Sequence, residues 1–182
     1  MYTINIYIAF RCTFSIQESV SKKMREKTCC FTGHRTVSKN QFQAIFDTTE
    51  SMVKKHIHKG YRFFLTGGAL GFDTISALVV LKLKKQYNDI QLILVLPCTD
   101  QTRGWSKDNI EIYESIKQKA DKVIYTSKEY TRGCMHKRNR YLVDNSSLCI
   151  CFLTKDKGGT FYTVNYANKQ NIKIINIGNA GT

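Results

Sequence analysis

The stretch from Tyr61 to Asp73, with the sequence YRFFLTGGALGFD, constrains the fold of this chain more than any other segment. A short apolar run, 63–65, leads into a glycine-rich turn, and helical apolar spacing begins after Asp73. Glycines allow the positive φ or close backbone approach that a turn between a parallel strand and a helix needs. The first N–H groups of such a helix have no partner inside it, so an anion such as phosphate can satisfy them. The stretch predicts either an anion-binding turn or glycines that serve packing alone.

Alternating strand and helix patterns continue on both sides of this stretch. Further strands are predicted at 28–32, 90–96, 122–125, 148–153 and 172–177, and helices at 38–58, 73–87, 107–120, 134–145 and from Thr160 to about Gln170. Strict alternation at this spacing predicts an α/β fold, Rossmann-like and doubly wound, with a mostly parallel sheet and helices on both faces. Right-handed crossovers place the strand-to-helix turns at one edge, where such sheets bind ligands.

The first predicted helix illustrates how the apolar spacing assigns a buried face. Ser38 is its candidate N-cap, and Gly60 ends it. The residues predicted to be buried are Phe42, Ile45, Phe46, Thr49, Met52, Val53 and Ile57.

Net charge is the compositional feature that bears most on function. The 182 residues include 28 Lys and Arg against 14 Asp and Glu, for a net charge of +14. Such a basic protein favours partners that carry phosphate, including nucleotides and nucleic acid. A compositional bias of the source is the alternative, because many lysines lie on predicted solvated helix faces. No stretch has the roughly 20 apolar residues needed to span a membrane.

Cysteine usage indicates a reducing compartment. The seven cysteines form no C-x-x-C pair and no zinc-type cluster with histidine. We therefore expect reduced thiols in a cytoplasmic protein, and no metal site. Four cysteines fall in predicted buried strands, where cysteine packs as a small apolar residue: Cys29, Cys30, Cys149 and Cys151.

Residues 1–23 are interpreted as an N-terminal extension, with residues 24–182 forming a single domain. The extension has no basic start before its apolar run, Arg11 interrupts that run, and no small-residue cleavage site follows. Met24 stands directly before the first predicted strand and is an alternative start of the chain.

The turns at the predicted ligand edge supply the candidate site residues. Glycine N–H groups and threonine hydroxyls can donate to phosphate oxygens, and arginine adds bidentate hydrogen bonds. The predicted ligand-binding residues are Thr32, Gly33, His34, Arg35, Thr66, Gly67, Gly68, Gly71, Asp73, Trp105, Arg138, Asn139, Gly158, Gly159 and Thr160.

Several of these residues have two interpretations. Asp73 suits a ribose hydroxyl, or it caps its own helix. His34 can act as an acid or base, or it can be a hydrogen-bonding fixture, and these two residues are the catalytic candidates. Trp105 can stack on a base or cover the core. Arg138 and Arg140 lie two apart on a helix, so only one is expected to face the site.

Taken together, these motifs resemble the SLOG superfamily of Rossmann-like proteins, which includes the DNA-processing protein DprA/Smf and the LOG phosphoribohydrolases. The pattern of its YpsA-like branch is matched in order and spacing from about residue 28 onwards. The matching segments are Cys30–Arg35, Gly67–Asp73, Trp105, Arg138–Asp144 and Gly158–Thr160. The resemblance implies a Rossmann-like fold and a ligand at the glycine-rich edge.

Departures from better-understood relatives bear on activity. LOG enzymes carry P-G-G-x-G-T-x-x-E, whose glutamate serves cleavage of the N-glycosidic bond. Here Lys157 stands at the proline and Thr163 at the glutamate, so that carboxylate is missing. DprA is similar at Arg138–Arg140 and Gly67–Asp73, and in DprA this edge binds single-stranded DNA.

Three functions follow as expectations. The first is binding or sensing of a nucleotide or a nucleotide-derived ligand such as an ADP-ribose-like molecule. The second is an enzyme that acts on a nucleotide N-glycosidic or phosphate bond, and the third is DprA-like binding of single-stranded nucleic acid. No cofactor beyond the nucleotide-type ligand is expected, and the fold class is compatible with a homodimer.

Overall fold

The computed structural model describes residues 21–178 as strands alternating with helices. Residues 21–26 are helical, and the rest of the predicted extension, residues 1–20, lies outside the described residues. The main elements are β1 (Thr28–Gly33), α1 (Lys39–Ile57), β2 (Phe63–Thr66), α2 (Phe72–Leu83), β3 (Gln91–Leu96), α3 (Lys107–Lys119), β4 (Lys122–Tyr125), α4 (Cys134–Asp144), β5 (Leu148–Phe152), α5 (Gly158–Lys169) and β6 (Lys173–Asn176).

The six strands form one sheet in the order β4-β3-β2-β1-β5-β6, and every neighbouring pair is parallel. The predicted doubly wound, Rossmann-like α/β fold is therefore confirmed. The chain builds the sheet outwards from β1 to β4 and then returns to place β5 on the other side of β1. The switch in strand order lies between β1 and β5, and ligands bind at such points in doubly wound sheets.

Helices cover both faces of the sheet, and alternate residues of each strand face opposite layers. In β1, Phe31 packs in the cluster that holds the buried residues of α1, α2 and α3. Its neighbour Cys30 packs with Leu142 of α4 and Val164 of α5 in a second cluster. Burying each large apolar side chain contributes about 1.5–3 kcal/mol to the stability of the fold, so the two layers stabilise the sheet that carries the loops.

Two local predictions needed correction. Phe42 was expected in the buried face of α1, but it is 40% exposed, and its ring stacks on Phe46 one turn along the helix instead of entering the core. The glycines of the Lys157–Thr160 segment were expected to precede a helix, but they form the first turn of α5 itself. The four strand cysteines predicted to be buried are buried.

Candidate functional site

A cavity of about 230 Å³ opens at the switch point. The turn after β1 forms one wall, α4 forms another, and the start of α5 closes the third. Among the predicted ligand-binding residues, it is lined by Thr32, Gly33, His34, Arg35, Asp73, Arg138, Asn139, Gly158, Gly159 and Thr160. Apolar parts of the wall come from Phe31, Ala69, Met135 and Leu142, and Lys157 adds a cation.

The N-terminus of α5 opens into this cavity. Its N-cap residue, Lys157, makes no side-chain capping hydrogen bond. A Cβ atom added to Gly158 or Gly159 would meet nothing within 4 Å, so these glycines border open space rather than a packed neighbour. Gly158 also has a φ of +90°, which favours glycine. Helix N–H groups that face a cavity with the positive end of the helix dipole form a ready anion site.

The start of α2, in contrast, is closed by the protein itself. The N–H of Phe72 donates to the carbonyl oxygen of His34 at 3.1 Å. Gly71 lies so close to the carbonyl groups of His34 and Arg35 that a Cβ atom there would clash with them. The sequence of the Tyr61–Asp73 stretch predicted a ligand at this helix N-terminus, but the turn after β1 occupies that position, and Gly71 serves packing.

Three other predicted residues of this turn, Thr66, Gly67 and Gly68, also lie outside the switch-point cavity. Thr66 is fully buried, and its hydroxyl donates to the carbonyl oxygen of Asp73 at 3.3 Å. Gly67 is in direct contact with Arg138, which leaves no room for a side chain. Gly68 has its φ at +63° and packs beside Leu96. Like Gly71, these predicted residues are packed against the protein and do not line the cavity.

A buried ion pair braces the turn. Arg138 and Asp73 are each 6% exposed, and Nη1 of the arginine lies 3.7 Å from Oδ2 of the aspartate. Arg138 also donates to the Gly67 carbonyl, while Asp73 accepts from the N–H of Ala69 at 3.2 Å. Burial raises the pKa of Asp73, and the neighbouring Arg138 charge counteracts that effect. Arg140, in contrast, is exposed, so of the two arginines only Arg138 lines the cavity.

His34 ties the turn after β1 to the chain after β5. Its Nε2 accepts a hydrogen bond from the N–H of Thr154 at 2.9 Å, and its ring stands edge-on to Phe152. Burial, assisted by the charge of Lys155, lowers the pKa of His34 below 6.5. This neutral, accepting imidazole matches the interpretation of His34 as a hydrogen-bonding fixture.

A second cavity, of about 380 Å³, lies beside the first and shares two lining residues, Arg35 and Met135, with it. Its other lining residues are Asp100, Gln101, Arg103, Trp105 and Tyr130. Trp105 was expected at the main site, but it faces this neighbouring cavity and stands edge-on to Tyr113 with ring centres 5.6 Å apart.

Met135, Lys157 and Gln101 are among the lining residues that the sequence analysis did not include in the predicted site. Met135 lies three residues before Arg138 on α4, so helical spacing could have placed it on the same face. Gln101 lies in the loop after β3, at the edge where the other turns gather, but an isolated glutamine has no motif to mark it.

The position of the LOG glutamate holds a structural threonine. Thr163 is 1% exposed, and its hydroxyl donates to the Gly159 carbonyl at 2.7 Å within α5. Asp73 and His34, the two catalytic candidates, both line the cavity but are engaged with Arg138 and Thr154. Among residues 21–178, no group of three or more His, Cys, Asp or Glu side chains is arranged to hold a metal ion.

Two solved structures share the fold. That of DNA processing protein A (DprA) from Streptococcus pneumoniae matches 83% of this chain and 50% of its own, with a TM-score of 0.61 and 17% identity. DprA from Helicobacter pylori, described by its single-stranded DNA binding mode, matches 85% of this chain and 66% of its own, with a TM-score of 0.60 and 17% identity. The chain thus spans half to two thirds of these proteins.

Sequence comparison identifies the family. The SPbeta prophage-derived protein YoqJ of Bacillus subtilis (strain 168) is 30% identical over 136 residues, which cover 68% of this chain and 80% of YoqJ. No helix in the described part of the chain is both long and apolar enough to cross a membrane. A family model described as the YspA SLOG family matches residues 29–177, and the chain therefore belongs to that family.

Proposed function

We propose that this protein binds a nucleotide or a nucleotide-derived ligand, such as an ADP-ribose-like molecule, with a phosphate group at the start of α5. The observation that carries the proposal is the open N-terminus of this 12-residue helix. Its two glycines border empty space, and the cavity in front of them lies at the switch point of the sheet. Backbone N–H groups in that position match phosphate oxygens.

The charges around the cavity support an anionic ligand. Arg35 and Lys157 are exposed at its rim, and Arg138 lies in its wall. Hydrogen bonds from such cations to phosphate are roughly twice as strong as those between neutral groups. Asp73 places a carboxylate in the same wall, where it repels phosphate but can accept a hydrogen bond from a ribose hydroxyl.

The dimensions support a small ligand. Together the two cavities, of about 230 and 380 Å³, fall within the usual range for small-molecule sites. The two cavities are neighbours that share the lining residues Arg35 and Met135, so a ligand with a phosphate in one could reach the other past these two side chains.

Thermal stabilisation by a ligand panel tests the proposal. The panel holds inorganic pyrophosphate, ribose 5-phosphate, AMP, ADP-ribose, NAD and short oligonucleotides. A ligand present at 100 times its Kd stabilises the native state by about 2.7 kcal/mol, which raises Tm measurably. If none of the small phosphate compounds raises Tm, the proposal is overturned.

Gly159 offers a sharp variant, because a side chain there meets no neighbour within 4 Å. Gly159→Asp places a carboxylate at the helix start, where its interaction with the helix dipole stabilises the helix by about 0.3–1 kcal/mol. The variant should therefore keep its Tm without ligand but lose at least tenfold in affinity for phosphate compounds. Gly159→Asn is the matched uncharged control. If both variants bind as tightly as the native protein, the phosphate does not lie at α5.

Single-stranded nucleic acid is the second candidate ligand. The net charge of +14 favours it, as does an exposed group at the second cavity formed by Arg35, Arg103 and Tyr130. The fold shared with DprA adds to this case. In that case only oligonucleotides would raise Tm, and log Kd would change with log salt concentration by about 0.7 for each phosphate contacted. A flat salt response would exclude this candidate.

A further inference from the structure

The side chains of Arg138 and Asn139 are locked together in the wall of the switch-point cavity. Nε of Arg138 donates to Oδ1 of Asn139 at 2.8 Å, and Nη1 of Arg138 donates to the Gly67 carbonyl oxygen. Because Nε can only donate, the amide atom that faces it must be the oxygen of Asn139 and not the nitrogen. This bond fixes the orientation of the amide and leaves its nitrogen, Nδ2, for another partner.

Two nitrogen atoms of this pair, Nη2 of Arg138 and Nδ2 of Asn139, make no hydrogen bond within residues 21–178. Neither atom is fully enclosed, because Oε1 of Gln101 is the one enclosed and unbonded side-chain N or O atom among the described residues. Arg138 and Asn139 are 6% and 9% exposed, and both line the switch-point cavity. The protein therefore leaves these two donors for a molecule in the cavity.

The buried threonines repeat this pattern. In the described part of the chain, four of them donate their hydroxyl groups to backbone carbonyl oxygens: Thr28, Thr49, Thr66 and Thr163. The other two, Thr32 and Thr160, make no such bond there, and both line the switch-point cavity. Native proteins rarely leave buried polar groups without partners. Their concentration at one cavity indicates a ligand that brings several oxygen atoms to its wall.

The carboxylate beside Arg138 favours hydroxyl groups over a second phosphate at this wall. Oδ2 of Asp73 lies 3.7 Å from Nη1 of Arg138, and Asp73 lines the same cavity. A second phosphate would add negative charge next to this carboxylate. A hydroxyl group, in contrast, is neutral and accepts a hydrogen bond from a guanidinium or an amide nitrogen. The wall formed by α4 therefore matches the hydroxyl groups of a sugar.

We propose that Arg138 and Asn139 form a sugar subsite that binds the neighbouring hydroxyl groups of a ribose and selects ribose over 2-deoxyribose. The inference rests on the proposed phosphate site at α5 and specifies the sugar that carries the phosphate. A site built to hydrogen-bond a hydroxyl group rejects a ligand that lacks it, because the buried donors of the site are then left unpaired.

Ligands that differ by one hydroxyl group test the selection without altering the protein. Ribose 5-phosphate and 2-deoxyribose 5-phosphate form one pair, and AMP and 2′-deoxy-AMP form the other. The phosphate is the same within each pair, and isothermal titration calorimetry measures each Kd. We expect the deoxy member of each pair to bind about tenfold more weakly or worse, as for the loss of a hydrogen bond to a buried donor.

Asn139→Ala isolates the amide, and Asn145→Ala is its matched control. Asn145 is the exposed C-cap residue of the same helix, α4, and does not line the cavity. Asn139→Ala should weaken ribose 5-phosphate binding about tenfold and leave 2-deoxyribose 5-phosphate binding nearly unchanged, so the preference for ribose falls. Asn145→Ala should keep the full preference. A purely structural role of Asn139 would instead weaken both sugars equally and overturn its part in the subsite.

The outcomes distinguish this inference from the proposed function. If the ribose and 2-deoxyribose compounds bind the native protein equally, the sugar subsite is wrong and the phosphate site stands. The same holds if inorganic pyrophosphate binds and no sugar phosphate does. If none of the phosphate compounds binds, the phosphate site falls and the sugar subsite with it. Should Asn139→Ala fail to fold, the comparison of ligands on the native protein still decides.

Discussion

The imidazole of His34 accepts a hydrogen bond from the N–H of Thr154, and so it holds together the two segments that flank the switch-point cavity. Nε2 can accept only while the ring is neutral. Burial favours that neutral form and lowers the pKa of His34. Protonation of His34 in acid would break this hydrogen bond, so His34 fixes the cavity wall only while its ring is neutral.

Stability should accordingly fall in mild acid. Because the pKa of His34 is lower in the native state, the unfolded chain takes up protons first as the pH drops below about 6.5. The contribution of His34 is fully present above that pH and is lost as the pH falls through its native pKa. Urea unfolding at pH 7 and pH 5.5 measures the difference, and His34→Asn should reduce the pH dependence.

A second histidine, His56, should also make the protein less stable as the pH falls. His56, 2% exposed, has its pKa lowered mainly by burial, so some pH dependence should persist in His34→Asn. If His34→Asn shows the same slope as the native protein, the bond to Thr154 does not contribute to stability.

At the residue scale, what the sequence could predict depended on local spacing. The two-residue offset of Arg138 and Arg140 was enough to assign only one of them to the site. Gln101 and the closed start of α2 depend on contacts between segments distant in the chain, as in the Gln101 bonds to Gly67 and Gly68. Sequence spacing carries no information about such contacts.

At the element scale, two strand-to-helix turns with similar glycine motifs differ in whether the protein fills them. The turn between β2 and α2 is filled by other parts of the protein, with Arg138 against Gly67 and two carbonyl groups against Gly71. The glycines at the start of α5 border open space. Glycine content predicted both turns. Whether neighbouring residues fill a turn or leave it open depends on the tertiary fold, which glycine content does not show.

Alanine substitution can measure this difference. Gly71 and Gly104 both have positive φ, at +75° and +80°, but only Gly71 has neighbours within 4 Å of an added Cβ. Gly104→Ala should cost about 1 kcal/mol of unfolding free energy through backbone strain. Gly71→Ala should cost about 3 kcal/mol or more, because the clash with backbone adds to the same strain.

Urea denaturation of the two variants gives the comparison directly. Equal losses would mean that the turn after β1 moves aside at little cost. The start of α2 would then be less firmly closed than its contacts indicate.

At the scale of the whole molecule, alternation of strands and helices was enough to predict a parallel doubly wound sheet. The strand order was not predictable from it, because β4 is an edge strand and the connection through α4 must pass β3, β2 and β1 to reach β5. Local patterns do not show how far a crossover travels. The switch point, and with it the cavity, depends on that one connection.

The six described cysteines report on opening of the whole molecule. All are buried, and burial raises the pKa of Cys98 and Cys151 to about 12. Thiolates are the reactive form, so these thiols should react slowly in the native state. In a Cys12→Ser protein at pH 7.5, mass spectrometry should show little N-ethylmaleimide uptake natively and six additions in urea. Rapid native labelling of Cys98 would show that the 97–105 loop opens locally, and rapid labelling of Cys134 would show the same for the start of α4.

The open start of α5 also bears on how this architecture can change its ligand. Main-chain N–H groups are common to every residue but proline, so the phosphate contacts proposed at the start of α5 do not depend on which side chains the loops around the second cavity carry. The second cavity, in contrast, is lined mainly by residues of the 97–105 loop and by Tyr130, together with Arg35 and Met135. Exchanging those two segments should therefore change which molecules the second cavity accepts and leave the proposed phosphate contacts at α5 unaltered.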